Sequence, residues 1–161
     1  MILNTVILVL VTVQRLGELW LSRRNTRRLL ASGAHEYGAN HYPLIVAVHA
    51  LWLIALWWLA LSRPVEGFWL GVFVLIEIAR LWVLATLGRR WTTRIVVLPN
   101  APLVRRGPYR LVNHPNYAVV VAEIAVLPLV FGLWQIALIF TLLNAAVLTV
   151  RIREENRALG R

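Results

Sequence analysis

Residues 115–150 read PNYAVVVAEIAVLPLVFGLWQIALIFTLLNAAVLTV, and this stretch decides the fold. It carries one charged side chain, Glu123, and has one break, at Phe131-Gly132. About 20 apolar residues suffice to cross a bilayer. The stretch therefore predicts two spans, Pro115 to about Val130 and Leu133 to about Val150, closed into a tight helical hairpin. Pro115 suits the first position of a helix, where a missing N–H costs nothing. Past Val150 the chain turns polar, and the last helix is expected to run on as an extension ending near Leu159.

Three further apolar blocks precede the hairpin: about Ile2 to Trp20, Tyr42 to Leu61 and Phe68 to Leu87. The 161-residue chain is 60% hydrophobic, against about 45–50% for a soluble domain, and its mean hydropathy is +0.69. The expected architecture is all-α, with five transmembrane helices in one domain over residues 1–161. Residues 1–90 form a three-helix part and 91–161 the remainder. The first block has no basic leader and no small-residue cleavage site, so it reads as a retained span rather than a signal peptide.

The net charge of +10 comes from 17 Arg against seven Glu, with no Lys and no Asp. The Arg residues alternate between connections. Arg23, Arg24, Arg27 and Arg28 follow the first span, and Arg89, Arg90, Arg94, Arg105, Arg106 and Arg110 follow the third. Arg151, Arg153, Arg157 and Arg161 follow the fifth. The other connections hold only Arg63, balanced by Glu66, or no charge. The positive-inside rule then places the N-terminus outside and every basic segment in the cytoplasm. Basic residues spaced between spans fit topology and headgroup contact, not a nucleic-acid face. With no cysteine, disulfides and thiolate metal sites are excluded, and no metal is expected.

Two segments are neither span nor short link. Ser32–His41 is a small polar loop. Residues 91–113 are longer, with β-branched residues over Arg94–Leu98 and turn signals at Pro99-Asn100 and Gly107-Pro108. A connection of that length inside a packed protein is usually functional. It runs into Asn113-His114-Pro115-Asn116-Tyr117, the cytoplasmic start of the fourth span. Free N–H groups at a helix N-terminus favour a carboxylate, and Tyr109, His114, Asn116 and Tyr117 add hydrogen-bonding groups and aromatic faces. The same residues also read as a helix cap and an interfacial belt. Arg151 and Glu155 lie four apart, on one helix face. They suit an anionic oxygen and a pair of ribose hydroxyls, or simply an ion pair that ends a span.

Charged and polar residues inside spans are expected to face the bundle interior. Arg15 with Glu18, and Glu77 with Arg80, are each expected to pair along their own helix. Glu123 either faces a cofactor cavity or pairs with Arg80. His49 and Asn144 are further polar groups within spans. Trp52, Trp57 and Trp58 either face lipid or line a lipid pocket.

With Gly107-Pro-Tyr-Arg110, His114-Pro-Asn-Tyr117 and Arg151…Glu155, the chain resembles the isoprenylcysteine carboxyl methyltransferase family over about its last seventy residues. Gln14-Arg-Leu-Gly-Glu18, Ser22-Arg-Arg-Asn25, Gly33-Ala-His-Glu36, His41-Tyr-Pro-Leu44, Trp91-Thr-Thr-Arg-Ile95 and Pro99-Asn-Ala101 resemble a bacterial branch. The proteins of that branch are encoded beside type III polyketide synthases and O-methylate alkylpyrones or alkylresorcinols. The resemblance implies an S-adenosylmethionine (SAM)-dependent O-methyltransferase whose residues 91–161 bind the cofactor. Ala101, Pro102, Leu103, Val104 and Tyr109 would wall it. His114, Pro115, Asn116 and Tyr117 would hold it from one side and Glu155 from the other, while Arg151, the catalytic candidate, would face the substrate. The family usually has Arg before the His-Pro pair. Asn113 stands there, and Arg110 is the candidate to supply that charge. The roles of Glu36 and His41 stay open. A lipophilic acceptor would enter from the bilayer and SAM from the cytoplasm. Competing readings are a prenylcysteine carboxyl methyltransferase, a phospholipid N-methyltransferase and a lipid-binding bundle without chemistry.

Overall fold

A computed structural model describes residues 1–99 and 101–158. The expected helix end near Leu159 and the Asn100 half of the turn lie outside that range. Five helices carry the fold: α1 (Ile2–Ala31), α2 (Tyr42–Leu59), α3 (Gly67–Leu87), α4 (Pro115–Val130) and α5 (Trp134–Ala158). Two short strands, β1 (His35–Tyr37) and β2 (Ile95–Val97), pair antiparallel with Glu36 opposite Val96.

Among the described residues, four helices are long and apolar enough to cross a membrane: α1, α2 with the 3-10 turn before it, α3 with the 3-10 turn after it, and α5. α4, with 16 residues, is the short one, about 24 Å at 1.5 Å per residue. Its hairpin with α5 forms as expected. Gly132 takes the left-handed conformation (φ 66°), and the N–H groups of Gly132 and Leu133 close on Leu129 and Pro128 carbonyls, ending α4 in one turn.

Two expectations are corrected. The first helix does not stop at Trp20 but continues to Ala31. Residues 21–31 contain neither Gly nor Pro, and their Arg and Leu residues are good helix formers. Ser22, Asn25 and Thr26 face inward, while Arg23, Arg24, Arg27 and Arg28 ride the same helix, Arg23, Arg24, Arg27 and Arg28 being more exposed. The helical architecture also includes a small sheet. Residues 94–98 do contain a strand, and its partner comes from the loop before α2, where His35-Glu36-Tyr37 gave no apolar signal.

The apolar core lies at the end of the bundle away from the Arg-rich segments. It is built from Leu8, Leu56, Ile124, Leu127, Val130 and Phe131, all fully buried. Asn4 fastens that end: its amide donates to the carbonyls of Ala60 (2.6 Å) and Arg63 (2.8 Å). The outer faces carry exposed Leu3, Leu10, Leu51, Trp58, Phe68, Leu75 and Leu142, as a lipid-facing surface requires.

Midway through the bundle three helices share one charge network. Arg15 meets Glu18 (2.9 Å) along α1, as expected. Glu77 and Arg80 do not pair along α3. Arg80 instead reaches across to Glu18 on α1 and to Glu123 on α4 (2.7 Å). Glu123 also takes Arg15 at 3.0 Å, and Glu77 accepts from Gln14 (2.6 Å). Glu123 is thus assigned to the network and lines neither of the cavities described below. Inter-helix pairing wins because a guanidinium with several donors can serve carboxylates on two neighbours at once.

Candidate functional site

The segment after α3 is held against the bundle by polar groups on three helices. Asn25 on α1 donates to the carbonyl of Trp91 (2.8 Å) and of Gly88 (3.2 Å). Ser22 accepts the Thr93 N–H (2.8 Å) and meets the Thr93 hydroxyl (2.7 Å). Tyr42 at the start of α2 reaches that hydroxyl at 2.9 Å. Arg151 on α5 donates to the Thr93 carbonyl (2.7 Å). Residues 91–94 are thereby a fixed ledge, from which β2 runs out to pair with β1. Arg94 stacks over Tyr42 at 4.5 Å and pairs with Glu36 at 2.7 Å, so Glu36 secures the sheet.

Opposite the ledge stands the start of α4. Tyr117 is the centre of the arrangement. Its hydroxyl accepts from Arg151 Nε (2.8 Å) and donates to Glu155. The Arg151 guanidinium also lies 5.4 Å from the Tyr117 ring centre. The His114 ring stacks on Tyr117 (5.4 Å, 18°) and donates through Nε2 to the Asn156 amide oxygen at 3.2 Å. The start of α4 and the helix beyond Val150 therefore do meet. The free N–H groups expected at α4 are fewer than thought: Pro115 has none, and those of Tyr117 and Ala118 close on the His114 carbonyl. That leaves Asn116 in the first turn.

Two cavities flank Tyr117. The first, about 200 Å³, lies between the ledge, residues 101–109, the start of α4 and the end of α5. It is lined by Ala101, Pro102, Leu103, Val104, Tyr109, His114, Asn116, Tyr117, Arg151 and Glu155, with Asn113, Arg90 and Arg94 also on its wall. Pro115 is buried but is not part of the lining, because it packs into the bundle as the first residue of α4. Arg110 is exposed and does not reach the cavity, so it does not replace the Arg that Asn113 displaces. Burial and the nearby Glu155 carboxylate push the Tyr109 phenol above its usual range, so it remains a neutral hydroxyl. Glu155 Oε1 has no partner among the described residues, which leaves it open to a ligand hydroxyl.

The second cavity, about 280 Å³, opens between α1, α2 and α5 and is mostly apolar. Leu16, Ile45, Val46, Leu53, Val120, Val147 and Leu148 form its sides, and His49, Trp52 and Asn144 lie on it. Trp52 belongs to this pocket, whereas Trp58 is 84% exposed on the outer surface and Trp57 bonds Thr12 at 3.0 Å. His41 sits in the 3-10 turn before α2, in neither lining.

Trp91, Asn116, Tyr117 and Arg151 line both cavities. Trp91 is 1% exposed and donates to Asn116 Oδ1 at 3.2 Å. The partition is thus one indole, one phenol, one amide and one guanidinium. The first cavity, polar in its charged side chains though apolar over most of its wall, and the apolar second cavity share this partition, which can bring a charged ligand and a lipid to the same few atoms. The sequence pointed to roles for Arg151, Asn116 and Tyr117, whereas Trp91, Thr93, Tyr42, Ser22 and Asn25 stood in stretches of resemblance with no role attached. A signal for the last two existed: 22, 25, 26 and 29 follow helical spacing, inward, between the Arg residues.

Residues 69–161 match the isoprenylcysteine carboxyl methyltransferase (ICMT) family. The chain is also similar to the uncharacterized protein YpbQ of Bacillus subtilis, at 38% identity over 95% of this chain and 94% of that one. An uncharacterized protein of Haemophilus influenzae is 29% identical over 91% of this chain and 88% of its own. No solved structure matches.

Proposed function

The chain belongs to the isoprenylcysteine carboxyl methyltransferase family, a family of membrane methyltransferases, and from that premise we propose that it moves a methyl group from SAM to an oxygen of a lipophilic acceptor. The observation that carries this reading is the partition of Trp91, Asn116, Tyr117 and Arg151 between a polar and an apolar cavity. The polar cavity's donor set fits SAM. Glu155 offers a carboxylate for ribose hydroxyls. Arg90, Arg94 and the Asn116 N–H suit a carboxylate. Leu98, Leu103 and Val104 offer apolar surface to a base.

Bound SAM supplies an electrophilic methyl group, with a neutral thioether as the leaving group. The chain's own residues then have three tasks. Tyr117, fixed by Arg151 and Glu155, holds the boundary at which the two ligands meet. Arg151, tied to Thr93 and Tyr117, presents positive charge to an acceptor oxygen on the apolar side and orients it. Trp91 and the surrounding apolar side chains exclude water from the contact. An acceptor already ionised near neutral pH needs orientation more than a base. For the acceptor we favour an alkylpyrone- or alkylresorcinol-type lipid. A prenylcysteine-like carboxylate is the runner-up, supported by the family's name.

The same reading makes α4 a fifth crossing. It puts the N-terminus outside and the polar cavity at the cytoplasmic face, on the strength of the Arg distribution. The test is equilibrium binding of tritiated SAM in detergent, followed by product analysis with a long-chain acceptor. Glu155→Gln should weaken SAM binding by roughly 10- to 100-fold, as expected for a lost hydrogen bond to a charged group. Unchanged binding in both Glu155→Gln and His114→Ala would move the cofactor elsewhere, and an N-methyl product would replace the acceptor class.

A further inference from the structure

We infer that the apolar cavity recognises a second oxygen of its lipid, a hydroxyl set back from the reacting position, through Trp52, Asn144 and His49. This rests on the reading of that cavity as the acceptor site and deepens it.

Three hydrogen-bond donors on residues of the cavity wall have no partner among the described residues: Trp52 Nε1, Asn144 Nδ2 and Arg15 Nε, the last on a guanidinium already paired with Glu18 and Glu123. Trp52 is 2% exposed and Asn144 4%. Buried donors are almost always satisfied in native proteins. Trp52 and Asn144 sit on different helices, α2 and α5, and line one cavity, so a ligand oxygen entering there would find an unmet donor on either side. Phe and Leu would fill these places in a purely hydrocarbon pocket without that deficit.

His49 lies one turn before Trp52, on the same face of α2. Its Nδ1 sits 2.8 Å from the Ile45 carbonyl oxygen. A carbonyl only accepts, so Nδ1 carries the hydrogen, and the neutral ring presents its lone pair at Nε2. Nε2 has no partner among the described residues. Two donors and one acceptor are the complement of a hydroxyl, which both accepts and donates. A carboxylate would satisfy the donors and leave Nε2 unmet, and an alkyl end would satisfy none. Arg15, Glu18 and Arg80 also reach this cavity but are paired with one another.

The placement sets these groups deeper in the bundle than the partition. Tyr42 and Arg151 mark the level of the partition, because both meet Thr93. His49 is seven residues after Tyr42, and Asn144 seven before Arg151, on helices that run in opposite directions. Each offset is about 10 Å of helix rise, and both lead to the same depth. Side chains lean toward the N-terminus of their helix, which brings His49 nearer to the partition and Trp52 back toward the level of Asn144.

Two lipids with the same tail, 3-pentadecylphenol and 5-pentadecylresorcinol, test the idea by binding to the detergent-solubilised protein without SAM. The wild-type protein should prefer the dihydroxy lipid by about tenfold. Asn144→Leu and Trp52→Phe should each cut that preference, with melting temperatures no lower than the wild type's. If one variant folds poorly, the other gives the answer. Equal binding of both lipids by the wild type, or an undiminished preference in a folded variant, overturns the inference. Methyl transfer from labelled SAM is measured separately. A preference that depends on Asn144 or Trp52, with no methyl transferred, upholds this subsite and overturns the proposed reaction. Transfer with equal binding of the two lipids does the reverse.

Discussion

Tyr117 concentrates the site in one hydroxyl: it takes a hydrogen bond from Arg151 and gives one to Glu155. Removing it leaves a guanidinium that is only 6% exposed without one of its two acceptors. Tyr117→Phe should therefore lower SAM affinity by roughly tenfold or more and reduce thermal stability by about 1–3 kcal/mol, read by equilibrium binding and by melting in detergent. Wild-type affinity in this variant would mean that the hydroxyl positions nothing. Tyr117, His114, Arg151 and Glu155 were legible in the sequence because each lies within a short motif whose spacing survives folding. Trp91 and Thr93 also stood in such a stretch, Trp91-Thr-Thr-Arg-Ile95, but it gave them no role. Their importance comes from Asn25, Ser22 and Tyr42, residues 51 to 71 positions away that no local pattern links to them.

At the level of elements, the polar cavity depends on the connection between α3 and α4 lying close against α3. Gly107 makes that possible. Its φ is +55°, and a Cβ there would sit 2.6 Å from the Thr86 hydroxyl oxygen on α3. Gly107→Ala combines a left-handed backbone penalty of about 1–2 kcal/mol with that clash. The melting temperature should fall by about 4 °C or more, and SAM binding should weaken as residues 101–109 shift. Lipid binding should change less, because none of residues 101–113 lines the apolar cavity. A variant that melts and binds SAM like the wild type would show that the connection has room to spare. The Gly107-Pro108 turn was visible in sequence; the approach to Thr86, twenty-one residues earlier, was not. The paired strand was half visible for a related reason. Ile95-Val-Val97 carries β-branched residues, but His35-Glu-Tyr37 becomes a strand only because that partner lies beside it.

For the whole molecule, the charge network ties α1, α3 and α4 together at mid-depth. Arg80, 4% exposed, serves both Glu18 and Glu123. Arg80→Met leaves two buried carboxylates to share the Arg15 guanidinium and should cost about 3–5 kcal/mol, seen as a large drop in melting temperature or in accumulation in membranes. Trp58→Ala on the outer surface is the control and should change little. A folded Arg80→Met protein of normal stability would show the network to be dispensable. The proposed orientation has its own test, made clean by the lack of cysteine. Arg63→Cys should react with a membrane-impermeant maleimide in intact cells, whereas Arg153→Cys should react only after permeabilisation. The opposite pattern inverts the topology.

Apolar block length and Arg alternation are sums over neighbouring residues, so the linear chain by itself determined a helical membrane protein, its hairpin and the positions of its polar motifs. Which faces of those helices meet depends on their rotation and on partners distant in the chain. Only the tertiary structure, therefore, took Arg80 from its own helix to Glu18 and Glu123, folded residues 91–94 into a ledge under α1, and set two cavities on either side of Tyr117.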